Sequence, residues 1–287
     1  MGIPGLTIIG ESINDSVPST KKLYEAGDLE GLRELARAQD EGGAGWIDVN
    51  VGLRTPEFMA RMVREVQSVT AKPLSIDTPD YDTAEAGLRA YDPDRAAGRR
   101  PILNSISLMR VKMFDLYKVR PFMPLLLSCE TEVNGESRPN RTGAENHAAA
   151  SQLLELAKAH GIQNDECIFD PGIAPIGSDT EGFLKMALES MRLMHEDTAF
   201  KGAHMSVGLS NFTVMLPPKC ADGSPVKTPL ESAFLTVAMP LGLDFIIGSV
   251  KRNYQILPPE HPAMMCLKDV LDREGYDCVM RVMEYYS

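Results

Sequence analysis

The sequence predicts one (β/α)8 barrel over residues 1–287, a single α/β unit with its functional groups at the C-terminal ends of the strands. Two observations predict it. Short apolar runs alternate eight times with segments of helical periodicity, and no linker, low-complexity stretch or shift of composition divides the chain. Nearly every apolar run also stops in an Asp, Asn or Glu, which gathers polar groups at one rim. A doubly wound open sheet is the competing arrangement, and it would leave long apolar strands at exposed edges.

In chain order, Gly5 to Gly10 is a β-rich run ending at Glu11-Ser12-Ile13-Asn14. A helix is expected from about Ser19 to Gly43, with Leu29, Leu32, Leu35 and Ala36 at helical spacing and Gly42-Gly43 as its stop. Trp46 to Gly52 is the second strand. Pro56 to Thr70 is a helix whose Phe58, Met59, Met62, Val63, Val66 and Val69 share one face. Leu74 to Thr78 is the third strand, Tyr81 to Tyr91 a helix, and Ile102 to Ser105 the fourth strand. Met109 to Val119 reads as a helix and Pro121 to Cys129 as the fifth strand, followed by a polar loop through Asn134-Gly135 and Arg138-Pro139. A helix from Gly143 to His160, a sixth strand and turn from Glu166 to Gly172, and a helix from Thr180 to His195 come next. Ser206 to Asn211 reads as the seventh strand, and Phe212 to Thr228 as a long loop of the kind that forms lids and binding surfaces. A helix from Pro229 to Met239, the eighth strand at Asp244 to Gly248, and helices from Pro262 and Cys278 complete the pattern.

Composition narrows the function. Hydrophobic residues at 44% and charged residues at 24% are those of a globular chain with a sizeable core. With 29 Lys+Arg against 40 Asp+Glu, the net charge of −11 repels nucleic acid and anionic lipid. Met-Gly-Ile-Pro-Gly at the start lacks the pattern of a secretory signal, and the most apolar stretch, Ala233 to Val250, is broken by Pro240, Gly242 and Asp244. A cytoplasmic protein is expected. The five cysteines are scattered, with no Cys-x-x-Cys pair, and read as reduced thiols.

The rim rule selects Glu11, Asn14, Asp48, Asn50, Asp77, Asn104, Asp170 and Asn211. This set holds carboxylates and amides and no His, Lys, Cys or Arg. Its chemistry is hydrogen bonding to a planar polar ligand: a carboxylate accepts two N–H bonds from an amino-pyrimidine face, and an amide offers a donor beside an acceptor. Magnesium or calcium could also bind such oxygens. The set is not a dense cluster, however, and His147, His160, His195, His204 and His261 fall mostly on helices, so no bound metal is expected. An Asp or Asn at a strand end also serves as the N-cap of the next helix, a reading to which Asp48, Asn50 and Asn14 are most open.

Taken together, Ile9-Gly10-Glu11-Ser12-Ile13-Asn14, Asp48-Val49-Asn50-Val51-Gly52, Ile76-Asp77-Thr78, Leu103-Asn104-Ser105, Ile168-Phe169-Asp170-Pro171-Gly172 and Gly208-Leu209-Ser210-Asn211 resemble the pterin-binding barrel family. Within it they look most like the methyltetrahydrofolate:corrinoid methyltransferases. The resemblance implies transfer of a methyl group between N5 of tetrahydrofolate or methyltetrahydrofolate, the substrate, and the cobalt of a corrinoid. Asp77, Asn104 and Asp170 would hold the pterin ring, with Ser210 and Gly208 beside it, and Asn211 would hydrogen-bond N5. A tertiary amine is a poor leaving group, and a neutral amide can shift its hydrogen bond as charge develops on N5. Asn211 and Asp77 are therefore the expected catalytic residues.

No Asp-x-His-x-x-Gly sequence of a cobalamin-binding module occurs, so the corrinoid is expected on a separate protein that docks on the loops Glu130 to Pro139 and Phe212 to Thr228. The resemblance also implies a homodimer. Dihydropteroate synthase, the alternative, shares the Asp-Pro-Gly turn but needs a Ser-Arg-Lys type sequence where this chain has Gly-Leu-Ser-Asn. A folate-binding subunit without chemistry is the third reading. Lys219, Arg54 and Arg252 are cations that could meet a folate tail, but each reads more readily as a solvated surface charge and none is counted among the site residues.

Overall fold

The computed structural model describes residues 2–287; Met1, the first residue of the N-terminal stretch read above, lies outside them. The described residues form strands β1 (Thr7–Asn14), β2 (Trp46–Asn50), β3 (Leu74–Asp77), β4 (Ile102–Ile106), β5 (Met123–Leu127), β6 (Glu130–Val133), β7 (Glu136–Pro139), β8 (Ile168–Asp170), β9 (His204–Met205) and β10 (Phe245–Gly248). The helices are α1 (Pro18–Ala26), α2 (Leu29–Glu41), α3 (Pro56–Gln67), α4 (Tyr81–Ala90), α5 (Gly143–Ala159), α6 (Phe183–Glu196), α7 (Leu209–Phe212), α8 (Lys227–Ala238), α9 (Pro262–Asp272) and α10 (Tyr276–Tyr286).

Eight strands pair in parallel in the order β10-β1-β2-β3-β4-β5-β8-β9. Parallel bridges Met205↔Leu243 and Gly208↔Ile247 join the two ends, with the Ile247 amide donating to the Val207 carbonyl at 2.9 Å. The sheet therefore closes on itself, and the (β/α)8 prediction holds.

Period-two alternation divides the side chains into two layers. Ile47, Val49, Leu74, Ile76, Leu103, Leu126, Phe169 and Ile246 point outward into the apolar layer beneath the helices, where each full burial contributes about 1.5–3 kcal/mol. Ile9, Ile102, Leu125, Ile168 and Phe245 point inward and pack as a separate cluster. That inner plug fills only the lower barrel, because further along the same strands the inward positions become Glu11, Asp48, Asp77, Asn104 and Asp170.

Several elements depart from the sequence expectation. The helix expected from Ser19 to Gly43 is two: Gly27, at φ 64°, ends α1, and the Asp28 side chain caps α2 by accepting from the Gly31 amide at 2.9 Å. Leu108–Lys118 is 3-10 helix, kinked at Arg110. The polar loop after β5 is a hairpin, β6 and β7 turning through Asn134 and Gly135 at φ 55° and 84°, the Asn-Gly signature of a tight turn. Asn164–Glu166 forms a 3-10 turn, so the sixth barrel strand starts at Ile168. The seventh is His204–Met205, not Ser206 to Asn211: the chain leaves the sheet after its bridge at Gly208, and Ser210 and Asn211 lie on α7. The helix expected from Pro229 begins at Lys227.

Candidate functional site

Above the apolar plug the barrel opens into a cavity of about 660 Å³. Glu11, Asn14, Asp48, Asp77, Asn104, Asp170, Gly208, Ser210 and Asn211 all line it. Asn50 stands behind this wall, its amide donating to Oδ2 of Asp77 at 2.8 Å. Nine of the ten residues selected from the sequence therefore face one space, and the tenth bonds to one of them.

Local structure aims each group. β1 carries a register shift between Gly10 and Ile13, and there the Ser12 amide donates to Oε1 of Gln39 at 2.9 Å. Gly10 is required for this approach, since a Cβ there would lie 2.5 Å from the same Gln39 oxygen. The bulge brings Glu11 to the mouth, where its Oε2 accepts from the Ser210 hydroxyl at 2.7 Å. At the Asp170-Pro171-Gly172 turn, Oδ1 of Asp170 accepts from the Gly172 amide at 2.7 Å, and the buried Asn146 amide donates to the Pro171 carbonyl at 3.0 Å. Gly172 sits at φ 72° against Cys129, so a side chain there would be both strained and blocked.

The capping alternative fails for this set. Side chains that accept from helix amides include Asp28, Thr55, Asp80, Thr142, Asp179, Asp197 and His261, none of them in this set. Asn14, Asn50 and Asp170 instead close two-residue turns to Ser16, Gly52 and Gly172.

Burial dominates the electrostatics. Asp48 is 1% exposed, and neither carboxylate oxygen makes a hydrogen bond of good geometry, although the Ser75 and Asn104 side chains lie near enough to favour its ionised form. Burial first, then the charge of Asp77, pushes its carboxyl well above the usual range. Asp77 is also raised by burial, against the opposing hydrogen bond from Asn50. Burial lifts Asp170 to about 7, and it raises Glu11 despite the Ser210 bond and nearby Arg252. Buried acceptors without well-aligned donors are suited to a ligand that brings N–H groups. The amino-pyrimidine edge of a pterin does so, and Asn104 supplies both polarities beside it.

The cavity also has a cationic wall, of which the sequence offered only Arg252. Lys227, at the start of α8, and Arg252, after β10, also line the cavity. Ser105, Leu125, Leu127, Ile173 and Val214 complete much of its surface. No motif marks Lys227, whereas Arg252 is one of the three cations read above as able to meet a folate tail. Of the other two, Arg54 pairs with Asp15 at 2.5 Å and lies 4.6 Å from the Tyr24 ring centroid, and Lys219 is outside the cavity lining. Among the described residues no group of three or more His, Cys, Asp or Glu is arranged to hold a metal ion, and no helix is long and apolar enough to cross a membrane.

Residues 13–248 match the model of a family described as pterin binding enzyme. A methylcorrinoid:tetrahydrofolate methyltransferase of Eubacterium limosum is 28% identical over 249 residues, which cover 83% of this chain and 83% of the relative. Two solved structures share the fold. Dihydropteroate synthase from Vibrio fischeri has a TM-score of 0.58 at 14% identity over 94% of each chain. The enzyme from Xanthomonas albilineans in complex with 7,8-dihydropteroate has a TM-score of 0.56 at 15% identity over 92% of each.

Proposed function

The chain belongs to the pterin binding enzyme family, and from that membership we propose that it is a methyltransferase moving a methyl group between N5 of tetrahydrofolate and the cobalt of a corrinoid carried on a separate protein. The observation that carries the reading is the convergence of Asp48, Asp77, Asn104, Asp170 and Asn211 on one cavity, carboxylates together with amides. The name of the Eubacterium limosum relative supports this branch over dihydropteroate synthase.

In this reading Asp77, Asn104 and Asp170 hold the pterin by its polar edges, and Asp48 gains the well-aligned donors it lacks in the free cavity. Asn211 meets N5 at the mouth and follows its change of charge, donating as negative charge develops and accepting when N5 carries a hydrogen. The corrinoid, a substrate brought to the rim, supplies a cobalt that takes or gives the methyl group. N5 loses a proton when it gains the methyl group and gains one when it loses it. The remaining contribution is positioning of two reactants in one cavity.

The corrinoid protein docks on the rim formed by the β6–β7 hairpin and the segment after Asn211. Val133, Val214 and Met215 are exposed there, Met215 by 86%, which supports this placement. A homodimer is proposed as well, supported by the exposed Tyr276, Met280 and Met283 at helical spacing on α10. We further propose that residues 1–287 act as one pterin-binding unit in the cytoplasm.

The deciding experiment mixes the protein with methyltetrahydrofolate and cobalt(I) corrinoid and follows methylcobalamin by absorbance, then repeats it from methylcobalamin and tetrahydrofolate. Transfer in either direction is the expected result. Pterin binding with no transfer would leave a folate-binding subunit, and condensation of a pterin diphosphate with aminobenzoate would identify a dihydropteroate synthase.

A further inference from the structure

Glu231 lies on α8 with no exposed surface, and sequence reasoning gave it no role. Its Oε1 accepts from the Thr213 hydroxyl and from Nη1 of Arg252, while its Oε2 is buried without a partner. These contacts tie together three segments that meet only in the closed barrel: the turn carrying Asn211, the body of α8, and the chain after β10. Thr213 follows α7 directly and is itself fully buried. Phe212 anchors the same turn to α8, its ring centroid 5.1 Å from that of Phe234.

A buried carboxylate is costly, and one cation with a single hydroxyl offsets that cost incompletely while Oε2 stays unpaired. A Gln or Leu would relieve it if packing alone were at stake. The carboxylate instead sits where it can fix two cavity features at once. Through Thr213 it holds the C-terminal end of the turn whose opposite side is held by the Ser210 bond to Glu11. Through Arg252 it sets the position of a guanidinium on the cavity wall and takes up its charge. Between these two anchors the Asn211 amide folds back over Gly208, where a Cβ would come within 2.8 Å of its nitrogen.

We propose that Glu231 is a positioning residue for methyl transfer: through Thr213 it fixes the turn that presents Asn211, and through Arg252 it fixes the cationic wall beside it. This rests on the reading of Asn211 as the group facing N5. The Thr213 hydroxyl and the Glu231 charge are separable. Thr213→Val removes the hydrogen bond and keeps the ion pair, Thr213→Ser keeps both, and Glu231→Gln keeps an acceptor for Thr213 and loses the charge that holds Arg252.

The test measures single-turnover methyl transfer and methyltetrahydrofolate affinity for the full chain and these variants, together with the Asn211 side-chain amide resonance in asparagine-labelled protein. Thr213→Val is expected to slow transfer about tenfold to a hundredfold, the range for misplacing a reacting group, with affinity within about twofold. Its Asn211 resonance moves, and Thr213→Ser restores both rate and resonance. Glu231→Gln slows transfer as well. If it fails to fold, the Thr213 pair still decides. Unchanged transfer in Thr213→Val, an equal loss of affinity and rate, or no rescue by serine would overturn the proposal. Absence of transfer in the unsubstituted protein would sink the functional reading alone, and the resonance comparison would still show whether the turn depends on this contact.

Discussion

The amide of Asn50 donates to Oδ2 of Asp77 at 2.8 Å, while its own Oδ1 accepts from the Gly52 amide at 2.9 Å. One side chain thereby orients a cavity carboxylate and closes the turn that follows its strand. Asn50→Leu is expected to weaken pterin binding roughly tenfold, the scale of one hydrogen bond to a charged group. Calorimetric titration with tetrahydrofolate checks this, and an unchanged affinity would remove Asn50 from the site.

Asn211→Ala is expected to slow methyl transfer by about a hundredfold to a thousandfold, as for loss of one transition-state donor. Affinity for methyltetrahydrofolate should change far less, because the ring remains held by Asp77, Asn104 and Asp170. Equal losses in rate and affinity would contradict the role given to the amide.

Gly208→Ala tests the same group without touching it. Gly208 has φ −72°, so alanine fits the backbone, but its Cβ would stand 2.8 Å from Nδ2 of Asn211. The amide must turn away, and transfer should fall toward the Asn211→Ala level while the melting temperature changes little. A fully active Gly208→Ala protein would show that the folded-back amide is not the working conformation.

Asp170 gives a pH dependence of definite sign. Burial raises its carboxyl to about 7, above the ordinary Asp value of about 3.9. Its contribution to stability is therefore full below the unfolded value and lost as pH rises through about 7. Pterin N–H donors need the ionised form, so affinity should rise with pH, at up to about tenfold per unit below the transition, and level off above it. Glu11, Asp48 and Asp77 are shifted in the same sense. Titrations of tetrahydrofolate across this range, with Asp170→Asn beside them, check whether the transition near about 7 disappears with the carboxylate.

Asp48 carries two buried oxygens with no well-aligned hydrogen bond, and the nearby Ser75 and Asn104 side chains offset its burial only in part. Asp48→Asn should stabilise the free protein by on the order of 1–3 kcal/mol above neutral pH, where the ionised group is most costly, and by less in acid. Thermal melts at the two pH values measure this. Lower stability of the variant at high pH would mean that the native carboxylate has a partner in solution.

The parts of this protein legible in its sequence are those set by local periodicity. Apolar runs with period two fixed the strands, helical stripes such as Phe58 to Val69 fixed the covering layer, and the polar residue ending each run named Asp77, Asn104 and Asp170, because a strand tip in a closed barrel always faces the same mouth. What the tertiary structure decided is how that mouth is furnished by residues outside any repeating pattern. Glu11 meets Ser210 across 199 positions, and Arg252 meets Glu231 across 21, only because closure between β9 and β10 brings those segments together. Closure also explains why the seventh strand ends at Met205: Gly208 bridges to Ile247, and the chain then turns into the helix that carries Asn211. Periodicity reports which face of an element is buried. Charge pairing between distant elements depends on the whole chain being folded, and that left Glu231, Lys227 and the place of Arg252 on the cavity wall to be found in three dimensions.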